Sequence, residues 1–154
     1  MKILMVCLGN ICRSPLAEGI MQQKFNLYGI DAQVDSAGFE PFHTGDSPDD
    51  RAIKVALKNG IDISKYRARI FQTIDFDRFD RIYVMDENNY NDVTREARNE
   101  NDRRKVDFIL NELKPGSNDV VPDPYYGRLR DFEEVFDLLD QATEIIAKKL
   151  QKDS

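Results

Sequence analysis

Tryptophan is absent from this chain, histidine occurs once and cysteine only twice. Two cysteines as close as Cys7 and Cys12, with His43 the lone histidine, supply neither a disulfide framework nor the ligand set of a zinc site. No metal and no cofactor is expected from these residues. Apolar runs are short: the first residues are too brief for a signal h-region, and no window reaches the length of a membrane span. A cytoplasmic location is therefore expected. Positive charge is in deficit, with 22 Lys and Arg against 28 Asp and Glu and a net charge of -6. That balance excludes a general nucleic-acid binder and a membrane-surface binder. Repeats and linkers are also missing. With 154 residues, the chain has the size of one domain with a real core, and residues 1–154 are expected to form it.

What is there alternates between two periodicities. Lys2 to Val6 reads as a buried strand, and Leu16 to Leu27 carries apolar residues at helical spacing, with Gly29 as its stop. Ala32 to Ser36 reads as a second strand, followed by an irregular surface loop from Ala37 to Gly45. Ser47-Pro48-Asp49-Asp50 signals a helix start, with serine as cap and proline first, and the helix runs to about Lys58. Ile61 to Phe79 is mixed. Arg81 to Met85 is a third strand, Glu87 to Arg98 a helix, Asn99 to Lys105 a charged, solvated connection, and Val106 to Leu110 a fourth strand. A long loop from Lys114 to Tyr126 precedes a last helix from about Asp131 to Leu150. Strands separated by helices imply an α/β fold, a parallel sheet covered on both faces, with ligands at the carboxyl ends of the strands.

The densest chemistry lies in Cys7-Leu8-Gly9-Asn10-Ile11-Cys12-Arg13-Ser14-Pro15. A cysteine sits at the end of a strand, and the loop beyond it closes on a helix start, with Ser14 as cap and Pro15 in the first position. Backbone N–H groups turned into such a loop seat an oxyanion, and the helix dipole adds partial positive charge. The same field favours a Cys7 thiolate. Arg13 adds a planar fork of donors that suits phosphate oxygens. A bare Cys-x5-Arg spacing arises readily by chance, and a cysteine after a strand is often only a small buried residue. The context decides for function: strand before, Gly9 and Asn10 within, helix behind. Phosphoryl transfer also needs an acid to protonate the leaving oxygen. Asp123-Pro124-Tyr125-Tyr126-Gly127 offers one, beside two aromatics that suit an aromatic leaving group, although Asp-Pro and Tyr-Gly are also ordinary turn chemistry.

On these residues the sequence resembles the low-molecular-weight protein tyrosine phosphatase family, over nearly the whole chain. The most specific matches are Val6 to Pro15 and Asp123-Pro124-Tyr125-Tyr126; weaker ones are Asp35-Ser36-Ala37-Gly38 and Met85-Asp86-Glu87-Asn88-Asn89. The resemblance implies a four-stranded parallel sheet of flavodoxin-like type and a two-step hydrolysis without metal. Carried over by position, Cys7 attacks phosphorus and becomes a phosphocysteine. The amides of Leu8 to Ser14 and the Arg13 guanidinium hold the equatorial oxygens, and Asp123 serves as acid and then base. Ser14 supports the thiolate, while Asn10 and Ser36 hold the loop. Asn10 suits a position needing positive φ. Leu8, Ile11, Phe42, Tyr125 and Tyr126 would line an aromatic slot. The implied partners are tyrosine-phosphorylated proteins, a bacterial tyrosine kinase or host proteins among them.

Two features depart from the family: Tyr66 stands where many members carry a loop-supporting histidine, and Phe42 precedes His43-Thr44-Gly45 where tryptophan is common. His43 is expected at the rim rather than in catalysis. Phosphoarginine-hydrolysing relatives typically carry threonine at the position of Ile11 and lack paired tyrosines. A thiol-coupled arsenate reductase would need cysteines beyond Cys12. A phosphate-binding module without turnover would need neither Cys7 nor Asp123. Cys12, on the same small loop, is placed to trap an oxidised Cys7 as a reversible disulfide. Tyr125 and Tyr126 are candidate kinase targets, since phosphate there would repel an anionic substrate.

Overall fold

The computed structural model describes residues 1–153. Its centre is a four-stranded parallel sheet in the order β2-β1-β3-β4, formed by β1 (Lys2–Val6), β2 (Gln33–Ala37), β3 (Arg81–Val84) and β4 (Val106–Phe108). Leu4 stands opposite Asp35 on one side and Ile82 on the other, so β1 is hydrogen-bonded along both edges. Side chains of a strand alternate between faces, and β1 is apolar on both. Ile3 and Met5 join one cluster with Leu16, Ile20, Phe132 and Leu139; Leu4 and Val6 join the other with Phe76, Ile82 and Val93.

The first cluster is roofed by α1 (Arg13–Tyr28), α2 (Asp50–Lys58) and α6 (Leu129–Asp153), and α1 packs extensively along α6. The second lies beneath α3 (Asp75–Arg78) and α4 (Glu87–Arg95), with the short α5 (Glu100–Arg104) leading into β4. No helix among the described residues is long and apolar enough to cross a membrane. The chain leaves β1 for β2 on one side and returns across it to β3 on the other. That reversal opens a crevice beyond the carboxyl ends of β1 and β3.

Several element boundaries differ from expectation, each for a local reason. Helix α1 begins at Arg13 with Cys12 in the cap position and no side-chain cap, because the Ser14 hydroxyl is engaged elsewhere. Asp49, not Ser47, caps α2; its carboxylate accepts from the Arg51 amide at 2.9 Å, leaving Pro48 outside the helix. The charged stretch after Arg98 is not simply a solvated connection. The Asn99 side chain accepts from the Asp102 amide, and buried Asp102 takes the Arg98 guanidinium at 2.9 Å, which folds residues 100–104 into a turn of helix. Helix α4 stops at Arg95, and β4 gives way after Phe108 to a 3₁₀ turn over Ile109–Glu112.

Candidate active site

Cys7 follows the last residue of β1 and is held there by its own amide, which donates to the Ala37 carbonyl at 3.3 Å. From it the loop to Cys12 turns back under α1. The turn depends on Asn10, whose φ is 56°, a conformation asparagine tolerates at modest cost. Gly38 makes room on the other side: a Cβ there would come within 2.7 Å of the Leu8 carbonyl and 2.9 Å of the Asn10 nitrogen. The Leu8 carbonyl is pinned by the amides of Phe39 and Glu40 at 2.7 and 2.9 Å.

A chain of side chains holds the loop from within. The Asn10 Nδ2 donates to Ser14 Oγ at 2.8 Å and to Ser36 Oγ at 2.9 Å, while its Oδ1 accepts from the Arg69 amide at 3.0 Å. Both amide hydrogens being given, each serine keeps its own proton to donate onward. Ser36 gives its proton to Glu18 Oε1 at 2.6 Å, and Ser14 Oγ lies 3.0 Å from Cys7 Sγ with its proton free for the sulfur. Burial pushes the Glu18 carboxyl up to about 7, with Asp35 adding to the rise and the Ser36 hydrogen bond and Arg69 opposing it. Tyr66 contributes no hydrogen bond to this chain among the described residues; the Arg69 backbone braces Asn10. Burial, Glu18, Asp35 and Asp62 push the Tyr66 phenol up to about 12.

Arg13 is 2% exposed. Its Nη1 donates to Asp86 Oδ2 at 2.7 Å and to the Val121 carbonyl at 3.0 Å, and its Nη2 lies 3.7 Å from Asp123 Oδ2. Burial opposes its charge, but Cys7, Asp86 and Asp123 together hold its pKa above the ordinary value. The Nε is buried without an acceptor. The backbone N–H groups from Leu8 to Ser14 also donate to nothing among the described residues. A buried donor without an acceptor, as at the Arg13 Nε, is costly unless an anion takes it, and the unpaired amides of the loop add further donors beside it. Cys12 is buried as well; burial, Asp49, Cys7 and Asp123 push its thiol well above the usual range, so it stays protonated.

These groups surround a cavity of about 140 Å³. Cys7, Leu8, Gly9, Ile11, Cys12 and Arg13 line it from one side, Glu40 and His43 from the second, and Asp123, Tyr125 and Tyr126 from the third. The long loop reaches this place because the amide of buried Val121 donates to the Met85 carbonyl at 2.8 Å, beyond the end of β3. Asn10, Ser14 and Ser36 lie behind the wall rather than in it. Phe42 departs from its expected place in the slot. Its ring is 83% exposed and stands edge-on to His43, because the 3₁₀ turn Pro41–His43 turns the imidazole inward. His43 pairs with Asp46 at 3.2 Å and reaches the rim. Sequence reasoning did not mark Asp86, Glu18, Glu40 or Arg51 as site residues. Only Asp86 carried a signal, an acid at the carboxyl end of a strand beside the site.

A family model described as low molecular weight phosphotyrosine protein phosphatase matches residues 2–154. The chain belongs to that family. The low molecular weight phosphotyrosine protein phosphatase of Schizosaccharomyces pombe is 40% identical to it over 129 residues, covering 82% of this chain and 81% of the relative. A protein tyrosine phosphatase of Entamoeba histolytica, solved with Hepes in its active site, matches with a TM-score of 0.92 at 35% identity, over 99% of this chain and 98% of that one. The arginine phosphatase YwlE of Bacillus subtilis matches with a TM-score of 0.90 at 24% identity, over 99% of this chain and 97% of its own, which shows the fold alone. As a low-molecular-weight phosphatase, the chain carries its family's four-stranded parallel architecture throughout.

Proposed function

We propose that this enzyme hydrolyses phosphotyrosine in proteins through a phosphocysteine, with Cys7 as nucleophile, Arg13 and the loop amides as oxyanion clamp, and Asp123 as acid and base. The observation that carries the reading is the set of unpaired donors on the loop that bears Cys7: the buried Arg13 Nε and the amides from Leu8 to Ser14. A phosphoryl dianion supplies the acceptors those donors lack.

In the first step Cys7 Sγ, as thiolate, attacks phosphorus in line. The S–P bond forms, the P–O bond to the aryl group breaks, and Asp123 passes its proton to the departing phenolate. In the second, water attacks the phosphocysteine, Asp123 takes a proton from that water, and the S–P bond breaks to return the thiolate with inorganic phosphate. Arg13 holds the equatorial oxygens in both, its direction fixed by Asp86 and the Val121 carbonyl. Leu8, Ile11, Tyr125 and Tyr126 supply the apolar walls that an aromatic substrate needs. Ile11 weighs against phosphoarginine, because its apolar side chain offers no acceptor to the N–H groups of a guanidinium. A nucleophile that must remain a free thiolate suits a reducing compartment, and we place the enzyme in the cytoplasm. Cys12 stands by as a thiol; mild peroxide is expected to link it to Cys7, and sulfonic acid on Cys7 alone would remove that role.

Release of p-nitrophenol from its phosphate tests the scheme. Turnover should persist in EDTA, and Cys7→Ser should lose on the order of 10⁴-fold or more. Acid-quenched enzyme should carry phosphorus on Cys7. A Cys7→Ser variant that works as well, or turnover without any phosphoenzyme, overturns the reading. Parallel assays on phosphotyrosyl and phosphoarginyl peptides decide the substrate class, and Asp123→Ala used as a trap should retain tyrosine-phosphorylated proteins.

A further inference from the structure

Arg51 does not line the cavity, but it joins the two loops that do. Its guanidinium is gripped by Asp49, with Nε donating to Oδ1 at 3.0 Å and Nη2 to Oδ2 at 2.9 Å. The remaining donors leave α2 altogether. Nη1 donates to the Gly127 carbonyl at 3.0 Å and Nη2 to the Tyr125 carbonyl at 2.8 Å. The guanidinium carbon lies 4.4 Å from the centroid of the Phe132 ring, which closes it off from beneath. On the opposite side the Asp49 amide donates to the Ile11 carbonyl at 2.8 Å. A continuous path therefore runs from the loop bearing Cys7, through Asp49 and Arg51, into the loop bearing Asp123.

We propose that Arg51, braced by Asp49, is the positioning residue that sets the acid over the nucleophile. The inference rests on Asp123 being the acid. Tyr125 is the residue through which the effect passes. Its carbonyl is held by Arg51, and its amide donates to Asp123 Oδ1 at 3.2 Å. The Asp123 side chain is half exposed, and its other charged partner, Arg13, is 3.7 Å away. Arg51 thus holds one end of the residue whose other end, its amide, holds the carboxylate, and so limits the rotation of the turn that carries the acid. A flat fork can hold two carbonyls and a carboxylate at once; an ammonium cannot. The loop keeps its other anchors without Arg51: Val121 on Met85, Gly127 on Pro124, and Arg128 on Asp131. Removing the guanidinium should therefore leave the fold and loosen the acid.

The experiment compares kcat/KM for phenyl phosphate, a poor leaving group that needs the proton, with that for p-nitrophenyl phosphate, which needs it less. Arg51→Met and Arg51→Lys are measured in the native background and in Asp123→Ala. Arg51→Met should lose about tenfold on phenyl phosphate and less than about threefold on p-nitrophenyl phosphate. Arg51→Lys should fall between, and it carries the test alone if the methionine variant does not fold. In the Asp123→Ala background the selective part of the loss should vanish, since the group being positioned is gone. Equal losses on both substrates, no loss in either variant, or a selective loss that survives in Asp123→Ala would each overturn the inference. If Asp123→Ala is itself unselective, the assignment of the acid fails and this inference with it; a selective Asp123→Ala beside an unselective Arg51→Met sinks this inference only.

Discussion

The loop bearing Cys7 and the loop bearing Asp123 face each other across one small cavity, and they are built on opposite plans. In the first, Cys7, Asn10, Arg13 and Ser14 are all buried, and nearly every side-chain polar group not aimed at the cavity is satisfied. In the second, Tyr126 is 95% exposed, and Asp123 is held through a backbone turn and one distant guanidinium. The difference matches the roles proposed for the two loops. Charge stabilisation works only if its donors are fixed before the substrate arrives. Proton transfer needs a group that lets a bulky phenyl ring in and out.

Substitutions at either end of this contrast should differ in kind as well as in size. Arg13→Lys should have the largest effect, on the order of 10³-fold in kcat/KM on every aryl phosphate, because a single ammonium cannot replace the fork between Asp86 and the oxyanion. A modest loss would mean the amides alone carry the clamp. Asp123→Ala should cost about 10²-fold on phenyl phosphate and much less on p-nitrophenyl phosphate. A flat response to the leaving group would erase the division of labour between the loops. Asn10 tests rigidity itself. Asn10→Ala should lower stability by about 3 kcal/mol through lost hydrogen bonds and a strained φ, and Asn10→Gly by about 1 kcal/mol less, since glycine removes only the strain. Equal melting temperatures for the two variants would show that the positive φ costs nothing.

A last effect, spread over several pH units, concerns Glu18, behind the buried loop. Its carboxyl titrates near 7 in the folded chain, above its ordinary 4.5, so the folded state binds more protons through that interval. Stability contributed by the neutral acid is present below the unfolded value and is lost as pH rises through about 7, by roughly 3 kcal/mol in all. Glu18→Gln should flatten that fall in chemical-denaturation midpoints between pH 5 and 8; an unchanged slope would place the titration elsewhere. The solvent-facing loop carries no buried acid, so Asp123→Ala should leave the slope as it was.

The same contrast explains what could be read from the chain. The sheet, α1, α6 and the buried loop were legible because local patterns and spacing carry them: an apolar strand, Gly9 and Asn10 in the turn, a helical start. That Asp123 reaches the cavity is suggested only by the family pattern, since Asp-Pro alone is also a turn. Contacts distant in sequence were not visible. Nothing near Arg51 announces Tyr125 and Gly127, and nothing near Arg13 announces Asp86 or the Val121 carbonyl. Ser14 carries two readings, a helix cap and a support for the sulfur; Cys12 takes the cap position, and the Ser14 hydroxyl lies against Cys7 Sγ. Phe42, which the resemblance implies for the slot, stands exposed instead, because backbone geometry hands the inward position to His43.

Cys12 lies in the wall of the same cavity but is kept as a neutral thiol by burial and by the acids and the sulfur around it. An electrophile small enough to enter, such as iodoacetate, therefore meets two sulfurs and one willing reactant. Inactivation should consume a single equivalent of reagent per chain, and inorganic phosphate should protect against it. A stoichiometric titrant of working enzyme is thus already built into the pair.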